Sequence, residues 1–238
     1  MALADPEQIL GLSPFATDPV QSRIAEEARR YRRLSGAAED VLVLRPDMVL
    51  AGRFTKRATR DLLKAQGLRV VELEAPRSLD EAKRQIGEVA ALVGHPERGA
   101  RVVAAIAGAE AKARRDPARD GRSIMAVQRR GWVAGGASLA GSVIGTLGLR
   151  NAGDGVSRRI GAFAGLETIV SLRPDLLLVP EDAGVADDQG SALLRHPALL
   201  GRYPPERRLT IPGRLLDCGG PGLVEALDRL ADQVGRTD

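Results

Sequence analysis

Short apolar runs and helical stripes alternate along the chain. Met48-Val49-Leu50-Ala51 and Leu176-Leu177-Leu178-Val179 contain no polar residue. Runs of this length predict strands buried on both faces, as in a parallel sheet covered by helices. Each run follows residues that are apolar at helical spacing, Val41 and Leu44 in one case, Ile169 and Leu172 in the other. Between stripe and run stands the same triplet, Arg45-Pro46-Asp47 and Arg173-Pro174-Asp175. Proline lacks an N–H and disfavours α conformation in the residue before it, so it stops a helix. Helix, tight turn and central strand are thus predicted twice. The copies lie more than a hundred residues apart, far beyond the roughly 20–50-residue period of a solenoid. Two similar halves follow, each a small α/β unit, and a cleft between two lobes suits a small ligand. The triplet itself reads as a turn.

The remaining pattern fills in both halves. Ile9 to Ser13 reads as a strand, Ser13 to Pro19 as a loop, and Gln21 to Arg33 as a charged helix. Arg57 to Gln66 is a helix stopped by Gly67, and Leu68 to Leu73 the next strand. Ser78 caps a helix with Asp80 and Glu81 in its first turn, ending at Gly94. Pro96 opens a long Ala-rich helix to Arg115, with Val102, Ala105, Ile106, Ala109 and Ala113 on one stripe. Asp116 to Gly121 closes it. The second half has a strand from Ser123 to Gln128, a loop from Arg129 to Ala137, and a helix capped by Ser138 and running to Leu147. An acidic loop spans Glu181 to Gly190. A strand at Arg208 to Ile211, a loop from Pro212 to Pro221 and a helix from Gly222 to Val234 complete it. The expected division is 1–95 for the first lobe, 96–116 for a spine helix and 117–238 for the second lobe.

Ligands of open α/β sheets sit outside the carboxyl ends of the strands. The candidate loops are therefore Ser13 to Thr17, Gly52 to Thr55, Arg129 to Ser138, Glu181-Asp182 and Pro212 to Asp217.

Composition narrows the classes. With 238 residues, 44% hydrophobic and 28% charged, the chain suits one large domain or two lobes. The net charge of +4 is spread among acids with no evident basic arm, and aromatics make up only 3%; both argue against nucleic acid. One cysteine, Cys218, rules out an internal disulfide and a cysteine metal cluster. No apolar stretch reaches the roughly 18 residues of a membrane span. The opening residues lack the order of a signal peptide. The two histidines, His95 and His196, sit beside prolines outside the candidate loops, so no set of ligands for a bare metal ion converges. Gly135 to Gly141 lacks the Lys-Ser/Thr of a P-loop and the spacing of a dinucleotide fingerprint. Cys218 has no histidine placed to activate it, so no catalytic residue is assigned.

The order ILGLSPFATDP, GAAEDVLVLRPDMVLAG, LLKAQGLRVVEL, WVAGGASLAGSVIGTLGLRNAG, LETIVSLRPDLLLVP and CGGPGLVEALDRL resembles the periplasmic substrate-binding proteins of ABC importers for metal chelates. The resemblance covers nearly the whole chain. It implies an α/β fold of two Rossmann-like lobes with parallel sheets joined by one long helix, like a class III periplasmic binding protein. It implies a monomeric binding protein rather than an enzyme. Its cargo would be cobalamin, a ferric siderophore or haem, held between the lobes and passed to a membrane permease with its ATPase. No cofactor is implied, and contact with the membrane would run only through the permease. The family's signal peptide, first strand and first helix have no counterpart here, so an upstream start is expected to supply them. The glutamates with which B12 carriers grip the permease are also unmatched: the first-lobe stretch reads Phe54-Thr55-Lys56-Arg57-Ala58, and Asp61 and Glu225 are weak substitutes. An α/β enzyme or a cytosolic chelate-handling protein on the same fold is the alternative, and a member that no longer binds ligand is a third reading.

Within that frame the candidate ligand-binding residues are Phe15, Arg53, Phe54, Arg130, Trp132, Gly136, Ser138 and Arg214. The forked donors of Arg53, Arg130 and Arg214 suit carboxylate, catecholate or phosphate groups on a chelate; solvated surface arginines are the alternative. Trp132, Phe15 and Phe54 can cover a flat macrocycle or simply pack. Gly135, Gly136 and Ser138 can offer N–H groups to an anion at a helix start, or Ser138 can merely cap the helix.

Overall fold

The computed structural model describes residues 1–52, 54–114, 121–181 and 189–237. Its elements in order are α1 (Ala25–Ala28), α2 (Ala38–Leu42), β1 (Met48–Gly52), α3 (Arg57–Ala65), β2 (Arg69–Leu73), α4 (Leu79–Leu92), α5 (Pro96–Arg114) and β3 (Ser123–Ala126). There follow β4 (Trp132–Ala134), α6 (Leu139–Thr146), β5 (Arg150–Asn151), β6 (Gly161–Phe163), α7 (Leu166–Leu172), β7 (Leu176–Pro180), α8 (Gln189–Ala192), α9 (Pro197–Arg202), β8 (Arg208–Ile211) and α10 (Gly222–Val234). The closing segment expected at Asp116 to Gly121 and most of the acidic loop after Glu181 lie outside the described residues.

Packing divides the chain into two units, Met1–Ala75 with Gln85–Ala100, and Pro76–Arg84 with Arg101–Asp238. The helix expected to stand apart as a spine is shared: α5 gives its first turn to one unit and the rest to the other, and α4 is shared as well. Both begin and end as their sequences dictate. Ser78 Oγ accepts the Glu81 N–H at 3.1 Å while the Glu81 carboxylate accepts the Arg77 N–H, and Gly94 closes α4 at φ 82°. Along α5, Ile106, Ala109 and Ala113 are buried. Ala105, expected on the same stripe, is exposed. Glu110 is buried in its place and meets Lys83 of α4 at 2.7 Å.

The first unit holds a two-stranded parallel sheet of β1 and β2. Its buried apolar residues are mostly alanines, joined by Leu63 and Ile86. β1 is not buried on both faces as expected, since Leu50 is 42% exposed. The cause is thin cover: among the described residues β1 pairs only with β2. The strand expected at Ile9 to Ser13 shrinks to a single bridge, Leu12 beside Arg33. Prolines 6 and 14 start 3-10 turns on either side and leave little extended chain between them. The helix expected from Gln21 to Arg33 is only α1, because Arg32 and Leu34 are drawn into backbone bonds with Leu12 and the charged sequence offers no wide apolar face.

The second unit carries a four-stranded parallel sheet in the order β5-β3-β7-β8. Four of the five residues of β7 are buried, as the run predicted. Its core joins Met125, Val127, Leu177 and Val179 to Ile169, Leu194, Leu199 and Tyr203. The repeated triplet has one backbone form in both units: Arg45 and Arg173 are left-handed, at φ 49° and 46°. That is the conformation in which helices commonly end. The second copy also braces the sheet. Asp175 Oδ2 accepts the Ser123 N–H at 2.7 Å and the Ser123 hydroxyl at 2.6 Å, tying β7 to β3 where both begin. These bonds hold the Asp175 carboxyl below the usual carboxylate range.

Candidate functional site

The segment expected to be a loop from Arg129 to Ala137 contains a strand. After β3 a 3-10 turn at Arg129–Gly131 reverses the chain through two left-handed residues, Arg130 at φ 58° and Gly131 at φ 74°. Only glycine fits the second, since a Cβ there would lie 2.3 Å from Ala164 O. The returning chain is β4, antiparallel to β6, with Trp132 opposite Phe163 and Ala134 opposite Gly161. Side chains directly opposite on one face of such a pair touch. The Trp132 and Phe163 rings meet edge-to-face, 5.1 Å between centroids at 72°. Trp132 is half-buried against the bare backbone of Gly161, and Phe163 is 67% exposed. A large apolar ring left in water beside a tryptophan makes an exposed apolar patch rather than a piece of core.

The glycine loop after β4 is committed internally. Gly135 N–H donates to Ile160 O at 3.0 Å and Ala137 N–H to Arg159 O at 3.1 Å. Gly136 N–H donates to the Asp154 carboxylate at 2.7 Å. Ser138 Oγ donates to Gly135 O and accepts the Gly141 N–H, which makes it the cap of α6. Of the two roles open to Gly135, Gly136 and Ser138, this geometry serves capping and loop closure: a carboxylate of the protein already occupies the Gly136 donor.

A second aromatic pair stands in the first unit. Phe15, in the 3-10 turn Pro14–Thr17, and Phe54, just past β1, meet edge-to-face with centroids 6.3 Å apart at 61°. They are 46% and 74% exposed. The chain has six aromatic residues, and four of them form these two exposed pairs, with Tyr203 in the core. Of the other candidates, Arg214 is half-buried in the 3-10 turn after β8, at the carboxyl end of the four-stranded sheet. Arg53 lies outside the described residues, as does Asp182. Glu181 accepts a hydrogen bond from Arg229 of α10. Both histidines have structural partners: His95 Nε2 meets Asp5 at 2.9 Å, and His196 Nδ1 accepts the Ala198 N–H at the start of α9. Desolvation and then the Asp217 charge raise the Cys218 thiol, away from the reactive thiolate. Asp61 and Glu225 pair within their own helices, with Arg57 and Arg229.

The sequence reading missed Phe163. It stands between Leu147 and the second repeat, where the sequence predicts no element, and its pairing with Trp132 depends on a ladder only three residues long. The reading also missed where the charge gathers. Residues 121–166 hold six arginines against one carboxylate, Asp154, while the rest of the chain is nearly balanced. A local count of charges would have found that.

A model of the periplasmic binding protein family matches residues 1–201. The chain belongs to this family. The periplasmic heme-binding protein RhuT of Roseiflexus sp. RS-1, in its apo form, superposes with a TM-score of 0.77 at 25% identity, over 100% of this chain and 94% of that one. A periplasmic heme-binding protein of Pseudomonas aeruginosa gives 0.74 at 22%, covering 97% of this chain and 86% of the other. The vitamin B12-binding protein BtuF of Vibrio cholerae gives 0.72 at 14%, covering 99% and 91%. The last two are likenesses of fold. No curated protein sequence matches the chain. The fold is the two-unit α/β arrangement of these binding proteins, with a parallel sheet in each unit and α5 contributing to both. Among the described residues no helix is long and apolar enough to cross a membrane, and no three His, Cys, Asp or Glu gather as a metal site.

Proposed function

We propose that this protein is the periplasmic ligand-binding component of an ABC-type importer, and that it carries a metal chelate to a membrane permease and its ATPase. The cargo is cobalamin, a ferric siderophore or haem, and the exposed rings favour the two with a broad flat face. One observation carries the reading: in a chain poor in aromatics, the only tryptophan and all three phenylalanines stand in two water-facing edge-to-face pairs rather than in the core. Burying such rings against a macrocycle recovers about 25 cal/mol per Å² of apolar surface removed from water. The heme-binding relative at 25% identity, aligned over the full chain, supports the same class.

Trp132 is the sole tryptophan, so its fluorescence reports on its own pair. Titration with haemin, cyanocobalamin and ferrichrome is expected to give saturable quenching by at least one ring chelate. Phe163→Ala is expected to weaken that binding without unfolding the chain. Absence of quenching by all three, with a native circular dichroism spectrum, overturns the reading.

A further inference from the structure

In the first unit, Arg29-Arg30-Tyr31-Arg32-Arg33 places four arginines in five residues, and no other five-residue stretch of the sequence holds four basic residues. Residues 23–33 together carry five arginines against Glu26 and Glu27. Arg29, Arg30, Arg32 and Arg33 are exposed, and Tyr31 among them is half-buried. Two of the four are engaged by acids. Arg29 pairs with Glu26 at 2.9 Å on an open surface. The Asp40 carboxyl is held below its ordinary value first by its bonds from Ser35 and then, more weakly, by the charge of Arg32.

The backbone beneath the cluster is tied down. α1 ends at Arg29, and Arg33 then bridges Leu12 in parallel. Leu12 N–H donates to Arg32 O and Leu34 N–H to Leu12 O, both at 2.9 Å. Leu34 rests on Gly11, where an added Cβ would lie 3.0 Å from its side chain. A partner that meets these arginines therefore orders little backbone.

Ordinary solvated surfaces intersperse charges of both signs. A fixed, dense basic run with a tyrosine inside it fits a surface of repeated anions instead. Guanidinium forks bind phosphate oxygens two bonds at a time. Each arginine close to an anionic bilayer strengthens attachment about fivefold, and tyrosine favours the headgroup level. We propose that Arg29, Arg30, Arg32 and Arg33, with Tyr31, form a docking surface for anionic phospholipid headgroups, which holds the protein on a membrane apart from any contact with a permease. A periplasmic binding protein that delivers cargo to a membrane permease, as proposed above, meets headgroups rather than nucleic acid; the partner, though not the cluster, rests on that reading. Weak attachment of this kind turns the search for the permease into a search over a surface.

The test is co-sedimentation of the full chain, without cargo, with lipid vesicles. At about 50 mM salt, phosphatidylcholine vesicles containing about 30 mol% phosphatidylglycerol are expected to bind it about thirtyfold more tightly than pure phosphatidylcholine, with Arg30 and Arg33 counted in full. Arg30→Gln/Arg33→Gln is expected to erase most of that ratio. Arg101→Gln/Arg236→Gln removes the same charge from other exposed positions and should leave the ratio unchanged. Salt at about 500 mM should abolish it. Equal partition onto the two vesicles overturns the proposal, as does an equal loss in both double variants, which would make attachment a matter of net charge. So does release by inorganic phosphate at constant ionic strength, which assigns the cluster to a free anion. Tighter binding to a single-stranded oligonucleotide than to the vesicles overturns it in favour of nucleic acid. Chelate titration at Trp132 is a separate measurement, so the importer reading can stand where this surface fails.

Discussion

Replacing Asp175 by alanine tests what the repeated Arg-Pro-Asp triplet is for. In the second copy one carboxylate oxygen accepts both the N–H and the hydroxyl of Ser123, at 2.7 and 2.6 Å. Ser123 is only 7% exposed, so neither group finds water when the carboxylate is gone. Hydrogen bonds to a charged group contribute about 1.5–3 kcal/mol each. Two on a single oxygen at a half-buried site, with some solvent screening, come to about 2–3 kcal/mol. In the first copy Asp47 is exposed and, among the described residues, makes no such bond. Asp47→Ala should therefore stay within about 0.5 kcal/mol of the parent.

Urea unfolding followed by far-ultraviolet circular dichroism reads both variants against the parent. The pH dependence carries the sign. The folded Asp175 carboxyl lies below its ordinary value, chiefly because of the Ser123 side chain and then its backbone N–H. The stabilisation is therefore present above the unfolded value of about 3.9 and is lost as pH falls through the folded one. Parent and Asp175→Ala should converge below about pH 4. Equal effects at Asp47 and Asp175, or a gap that ignores acid, would refute the brace.

Lys83→Met should destabilise by about 2–3 kcal/mol, toward the low end for a buried pair because Lys83 is partly exposed, since Glu110 would be left with Arg114 at 4.0 Å; Lys83→Met/Glu110→Met should recover most of the loss in the same unfolding assay. Gly135→Ala should cost about 2–3 kcal/mol, because its Cβ would lie 2.1 Å from Ser157 O and 2.3 Å from Arg159 O. Gly145→Ala, in α6 with open space around it, should instead be neutral or gain up to about 1 kcal/mol in a thermal melt.

What the sequence made legible follows from what local physics decides. β7, β8 and α10 were readable because an unbroken apolar run, the alternation Arg-Leu-Thr-Ile and a 3.6-residue stripe are each local signals of their element. Ser78, Gly67 and Gly94 marked helix ends through hydrogen bonds and φ values that depend only on neighbours. The first unit was less legible. Met48 to Ala51 has the same apolar run as Leu176 to Val179, yet its burial depends on what covers it, which no local pattern encodes. β4 and β6 were hidden because three-residue strands carry too few positions for alternation to show. Their pairing rests on close backbone approaches at Gly131, Gly135 and Gly161, and a glycine in sequence does not reveal which chain will press against it.

The same limit shows where function sits in this fold. The core of the second unit is aliphatic apart from Tyr203, so packing does not require the phenylalanines or the tryptophan. Their exposure therefore goes against the hydrophobic effect that shapes the rest of the chain. Arg130 goes against backbone preference in the same way, and the arginines of residues 121–166 against charge balance. In the second unit the Trp132–Phe163 pair and the left-handed Arg130 meet along one short hairpin. That convergence is what the proposed chelate site requires of the chain.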